Sequence, residues 1–157
     1  MFCYQCEQTA QGTGCRKIGV CGKDAETAGL QDLLIYAAKG ISMYAHRARQ
    51  SGVADHSIDM FIIEALFSTI TNVNFDTERF VELLGKAGKT LDKTRGLYEE
   101  ACKKASQEPE SLEGPAQWKP ASDKNGLLAG RGNQYRQTYR IAWSRCNRAA
   151  GIDHLRS

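Results

Sequence analysis

Four cysteines stand close together at the start of the chain in the pattern C-x2-C-x8-C-x5-C: Cys3, Cys6, Cys15 and Cys21. Thiolates gathered at such short spacing repel one another unless disulfides form or a cation neutralises them. Iron–sulfur clusters and structural zinc both neutralise such sets of cysteines. The pattern therefore predicts a metal site built from these four residues.

The spacing of the second cysteine pair bears on which metal is bound. Zinc sites usually present two short cysteine hooks, and here only the first pair is one. Cys15 and Cys21 are separated by five residues within a glycine-rich stretch, which can wrap a bulky cluster and point backbone N–H groups at its sulfurs. The spacing favours iron–sulfur, with zinc as the alternative. Arg16, Lys17 and Lys23 lie near enough in sequence to offset the negative charge of a cluster.

The cellular compartment can be inferred from whether the cysteines bind a metal or form disulfides. Disulfides would require an oxidising compartment. The residues after Met1 show neither the basic nor the apolar segment of an export signal, and no run approaches the roughly 18 apolar residues of a membrane helix. We therefore expect a cytoplasmic protein with no membrane partner.

The net charge of +3 is unevenly distributed along the chain. Residues 1–117 carry −3 and residues 118–157 carry +6. The basic character belongs to the C-terminal part alone, which has no recognised nucleic-acid-binding fold. A solvated basic face or a disordered end is favoured over a surface that grips phosphates, so we do not expect a nucleic-acid partner.

Behind the cysteines, apolar residues recur at steps of three and four, which is typical of amphipathic helices. The first helix is predicted to run from Asp24 to a stop at Gly52, with Gly40 marking a close contact with another helix. The apolar residues of this helix are Leu30, Leu33, Leu34, Ala37, Ala38, Ile41, Tyr44, Ala45 and Ala48.

Two further helices are expected. The second begins near Ser57, whose hydroxyl is expected to cap it, and ends at 72–74. The third begins at a cap formed by Asp76 and ends near 103–104. Their expected core residues are Ile58, Phe61, Ile62, Ala65, Leu66 and Ile70, followed by Phe80, Leu84, Ala87, Leu91, Tyr98 and Ala101.

These elements predict an all-α fold, with no convincing strand, in which the four-cysteine loop precedes an antiparallel three-helix bundle. The predicted division is a cluster-binding loop at 1–23, a three-helix bundle at 24–105, a linker at 106–130 and a short basic tail at 131–157. Trp118 is the one strong anchor expected within the linker.

Four further residues could be taken for ligands. His46 and His56 are expected to be solvated, because single histidines without neighbouring ligands rarely bind metal. Cys102 and Cys146 are expected to be ordinary thiols, because four ligands already complete the site.

Several stretches of the chain closely resemble hybrid-cluster proteins, also called prismane proteins or hydroxylamine reductases. The resemblance covers about residues 1–100 and is carried by MFCYQCEQTA (1–10), VCGK (20–23), LQDLLI (30–35), GISMYA (40–45) and FSTITNVNF (67–75). It is specific, because a four-cysteine spacing and helical sequences agree independently.

The resemblance implies an electron-relay role for the cysteine loop. In that family the four N-terminal cysteines bind an iron–sulfur cluster, and members with this short spacing carry [4Fe–4S]. By the resemblance, Cys3, Cys6, Cys15 and Cys21 would hold this cluster and pass on electrons from a donor protein such as a reductase or a ferredoxin. The implied enzyme is an oxidoreductase that reduces hydroxylamine to ammonia. Nitric oxide reduction and protection from nitrosative stress are also associated with the family.

The chain also departs from the family. Members are several times longer, and later domains supply the cysteines, glutamates and histidine of the hybrid 4Fe-2O-2S cluster where substrate reacts. We therefore expect no catalytic residue, no hybrid cluster and no activity on hydroxylamine or nitric oxide from this chain alone. The Arg-rich residues 131–157 do not resemble the family, and we hypothesise that they are out of frame or otherwise unrelated to it.

Overall fold

The computed structural model describes residues 3, 5, 6, 10–12, 14–70 and 75–129, which are mostly helical. The three long helices are α1 (Ala25–Gln50), α2 (His56–Ile70) and α3 (Thr77–Lys104). Short 3-10 turns lie at Ala10–Gly12 and Gly114–Gln117, and residues 124–129 are also helical. Over these described ranges the chain contains helices and no β-strand longer than an isolated bridge, which agrees with the all-α prediction.

Aspartate caps begin the helices because a carboxylate oxygen can accept the backbone N–H groups that have no partner in the first turn. Asp24 accepts a hydrogen bond of 2.7 Å from the N–H of Thr27 and so starts α1. This bond holds the pKa of Asp24 below its usual value. Asp76 accepts hydrogen bonds from the first turn of α3, as predicted.

The start of α2 differs from the prediction. Helix α2 begins at His56, one residue before the expected Ser57, and the capping side chain is that of Asp55. The N–H and the hydroxyl of Ser57 both donate to Asp55 Oδ1, at 2.8 and 2.6 Å. A carboxylate is the stronger acceptor here, and Ser57 serves as a donor to the cap.

Helix α1 lies at the centre of the fold, with its most extensive contacts to α3 and smaller ones to α2. Its predicted apolar residues are buried, except that Ala45 is only partly so. The predicted core residues of α3 are all buried. Ion pairs at the surface add links between helices, such as Arg49 with Asp59 and Lys86 with Glu64.

Helix α2 is buried on one side only. Of the six predicted core residues, Ile58, Phe61 and Ala65 belong to the core, Ile62 is partly buried against it, and Leu66 and Ile70 are exposed. The prediction fails for these two because α2 is apolar around most of its circumference, so its sequence pattern does not distinguish the covered side from the open one.

Residues 106–129 pack back onto the helices. Trp118, the expected anchor, is 5% exposed, and Leu112, Ala116 and Leu127 join it in the core. The close contact at Gly40 is made with the backbone of Pro115 in the 3-10 turn, and not with a long helix. The division of the chain into four segments stays a prediction.

The predictions for the end of α2 at 72–74, for the basic tail at 131–157 and for Cys146 within that tail fall outside the described residues. In the part of the chain that the structure covers, no helix combines the length and the apolar character needed to cross a membrane.

Candidate metal centre

Cys3 and Cys15 are brought together by the backbone. They form an isolated antiparallel bridge in which Cys3 N–H donates to Cys15 O at 3.0 Å and Cys15 N–H donates to Cys3 O at 2.7 Å. Between them, Ala10–Gly12 form a 3-10 turn, and Gly14 N–H donates to the carbonyl of Ala10. Two residues that are distant in the cysteine pattern therefore become neighbours.

A tight turn places Cys21 directly before α1. Gly19 N–H donates to Lys23 O at 2.7 Å, and Gly22 N–H donates to Gly19 O at 2.8 Å. Gly22 has φ 90°, a left-handed conformation that glycine adopts without steric cost. Asp24, two residues after Gly22, caps α1, so the cysteine loop leads into the helix that makes the most extensive contacts with the other described elements.

Two of the cysteine sulfurs accept hydrogen bonds from nitrogen. The N–H of Ala10 lies 3.4 Å from Cys15 Sγ, and the ammonium of Lys23 lies 3.8 Å from Cys3 Sγ. Cys15 is buried, whereas Cys3, Cys6 and Cys21 are partly exposed. Nitrogen donors directed at cysteine sulfurs are one of the features that tune iron–sulfur centres.

The three basic residues near the cysteines, Arg16, Lys17 and Lys23, differ in their exposure to solvent. Arg16 and Lys17 are exposed, whereas Lys23 is 1% exposed. Besides its contact with Cys3, the ammonium of Lys23 lies 3.2 Å from the amide oxygen of Gln5. Sequence reasoning missed this role of Gln5, and its only signal was a polar residue placed between two cysteines.

The donor set suits a cluster or zinc by its chemistry. In the described part of the chain, Cys3, Cys6, Cys15 and Cys21 form no disulfide, and sulfur is the donor that both kinds of site use. In the described residues, however, no three His, Cys, Asp or Glu side chains are arranged to hold a metal ion. The structure pairs Cys3 with Cys15, and the complete four-cysteine ligand set stays a prediction.

The remaining candidate ligands lie away from this loop in sequence. His46 on α1 and His56 on α2 are exposed. Cys102 is a buried free thiol in α3, and Cys146 lies outside the described residues.

A comparison with protein families gives a match over most of the chain. The sequence model of the Prismane/CO dehydrogenase family matches residues 1–142. The matched region includes all four N-terminal cysteines and the three long helices, and it extends into the first part of the basic tail, which we had hypothesised to be unrelated.

Curated relatives also match most of the chain. A hydroxylamine reductase from Rhodospirillum rubrum is 55% identical over 128 residues, and one from Acidithiobacillus ferrooxidans is 52% identical over 132 residues. A third, from Geobacter sulfurreducens, is 49% identical over 133 residues. Each match covers 82% of this chain but only 23% or 24% of the relative, so the chain spans about a quarter of the length of these relatives.

Proposed function

Because the chain belongs to the Prismane/CO dehydrogenase family, we propose that it is the N-terminal, electron-relaying part of a hydroxylamine-reductase-like hybrid-cluster protein. The observation that carries this proposal is the family match over residues 1–142, which includes the whole cysteine loop. The relatives named hydroxylamine reductase support the same assignment.

Cys3, Cys6, Cys15 and Cys21 are the proposed ligands of a [4Fe–4S] cluster. When bound, such a cluster supplies one-electron transfer at a potential set by its hydrogen bonds and its exposure to solvent. The chain contributes the sulfurs, and the N–H of Ala10 is available to stabilise negative charge on Cys15. The backbone bridge between Cys3 and Cys15 supports this assignment, because it brings two of the four sulfur-bearing residues together.

An antiparallel three-helix bundle is the proposed scaffold for the cysteine loop. Contacts of α1 with both α2 and α3 support it. The loop ends at Asp24, the cap of α1. Lys23 and Cys21 lie one and three residues before this cap, so the start of α1 fixes where both residues lie.

The activity of the whole protein is proposed to be the reduction of hydroxylamine to ammonia, with electrons supplied by a donor such as a reductase or a ferredoxin. We propose a cytoplasmic location. The 157 residues are assigned the electron-relay site and no catalytic residue, and the hybrid cluster is assigned to the part of the family's chain that lies beyond them.

Anaerobic reconstitution with iron and sulfide tests the cluster assignment. We expect a brown protein with broad absorbance at about 400 nm, which contains about four iron ions and four sulfide ions per chain. Cys6→Ser and Cys21→Ser should each lose most of this iron, because each removes a thiolate ligand.

Cys102→Ala is the matched control, since it removes a buried thiol in α3 that the proposal does not use. It should retain the iron content of the unaltered chain. A colourless protein that holds one zinc per chain and takes up no iron would contradict the proposal and support a zinc-stabilised helical binding module without a redox role.

A further inference from the structure

A lysine is buried beside the cysteine loop. Lys23 is 1% exposed, and its ammonium lies 3.2 Å from Gln5 Oε1 and 3.8 Å from Cys3 Sγ. Burying a charged ammonium is costly unless an opposite charge or several hydrogen bonds compensate for it. The ion pairs formed among the described residues do not include Lys23, so the Cys3 sulfur is the candidate counter-charge.

We propose that Lys23 is a positioning residue that sets the reduction potential of the cluster by placing a fixed, buried positive charge against the Cys3 sulfur. This inference rests on the proposed function, because it requires a cluster on the four cysteines. A reduced cluster carries one more negative charge than the oxidised one, so a nearby cation stabilises the reduced state and raises the potential.

Lys23 differs from the other cations of the loop because it is buried. Arg16 and Lys17 are exposed, so water and mobile ions screen their charge. The charge of Lys23 lies in a poorly solvated position, where the same charge acts more strongly on a neighbouring sulfur. We therefore assign the potential-setting role to Lys23 rather than to the net charge of the loop.

A backbone hydrogen bond fixes the position of Lys23, and the turn that contains it is tight because Gly19 has no side chain. The Lys23 carbonyl accepts the N–H of Gly19, and the next residue, Asp24, caps α1. A Cβ added at Gly19 would lie 3.0 Å from Lys23 Cβ and 3.1 Å from Cys21 Sγ. The turn at Gly19 thus packs tightly against both Lys23 and Cys21.

A potential titration of the reconstituted chain tests the proposal. Lys23→Met should lower the reduced-to-oxidised ratio at a fixed applied potential by about tenfold or more. A tenfold change corresponds to a fall of about 59 mV in the reduction potential of a one-electron couple. Lys23→Arg should stay near the unaltered chain because it keeps the charge. Lys17→Met makes the same charge change at an exposed site and should shift the ratio far less. Equal shifts for Lys17→Met and Lys23→Met, or no shift for Lys23→Met, would overturn the proposal.

A second measurement covers the case in which Lys23→Met takes up no cluster. With 15N-lysine in the chain, pulsed EPR of the reduced cluster should detect a 15N coupling that disappears in Lys23→Arg. A reconstituted chain without this coupling would overturn the role of Lys23 while leaving cluster binding intact. If the unaltered chain takes up no iron, the proposed function itself fails, so the two failures are distinguishable.

Discussion

Gly40 in α1 lies against the backbone of Pro115, and the contact depends on a missing side chain. A Cβ built at Gly40 would overlap the Pro115 carbonyl oxygen and lie 2.7 Å from its carbonyl carbon. Because both of these are backbone atoms, they cannot move aside by rotating a side chain. The close approach explains why glycine stands in a helix interior, where it is otherwise unfavourable.

Gly40→Ala is therefore expected to destabilise the chain by about 1–3 kcal/mol, the usual cost of overpacking. Gly85→Ala is the matched control in α3, because a Cβ there meets nothing within 4 Å. It should stabilise the chain by about 0.5–1 kcal/mol through the better helix propensity of alanine. Urea unfolding followed by circular dichroism measures both. A neutral Gly40→Ala would show that the 3-10 turn at Pro115 is not held against α1 in solution.

At the scale of elements, the start of α2 is joined to α3 through the Asp55 cap. Lys93 of α3 lies 2.6 Å from Asp55 Oδ2 and donates to Ser57 Oγ at 2.8 Å. The hydrogen bond from Lys93, together with those from Ser57, holds the pKa of Asp55 well below its usual range. One carboxylate thus caps a helix and also connects two helices.

This lowered pKa predicts an acid dependence of stability. Because the carboxylate is favoured in the folded state, its contribution is present above the unfolded pKa of about 3.9 and is lost as pH falls towards the folded value. Asp55→Asn should be less stable than the unaltered chain at pH 7, and this difference should shrink progressively below about pH 4. Urea midpoints measured from pH 7 to pH 2 check this.

Asp92→Asn, which changes an exposed aspartate on α3, provides the control for Asp55→Asn. It should leave the pH dependence close to that of the unaltered chain. A constant difference between Asp55→Asn and the unaltered chain at every pH would contradict the role assigned to the Asp55 carboxylate.

At the scale of the whole molecule, apolar side chains are distributed unevenly. Residues 106–129 bury Trp118 and three smaller apolar side chains against the helices. On the open side of α2, the exposed apolar residues are Met60, Ile63, Leu66, Phe67 and Ile70. Burial in this chain therefore depends on which side of an element has a neighbour, and apolar character alone does not determine it.

Trp118→Ala should cost about 3–5 kcal/mol, because it removes a large buried ring and leaves a cavity. Ile63→Ala, at a position that is 58% exposed, should change stability by no more than about 0.5 kcal/mol. Thermal unfolding of the two variants compares a buried with an exposed apolar residue. Similar small effects for both would mean that residues 106–129 do not stay packed on the helices.

The sequence by itself was sufficient for features that depend on local pattern. The apolar periodicity, with Asp24 and Asp76 as caps, predicts where α1 and α3 begin, and the structure confirms both starts. The metal site that the cysteine spacing indicates stays a prediction. Such features follow from residue types a few positions apart along the chain. Their local origin is why the helices could be predicted before any contact between them was known.

Only the tertiary structure decided which of several similar residues face the interior. It buries Lys23 and exposes Arg16 and Lys17, although all three are cations within the same short segment. It also leaves Leu66 exposed and places Pro115 against Gly40. Burial depends on neighbours that are distant in sequence, and the spacing of residues along one segment carries no record of them.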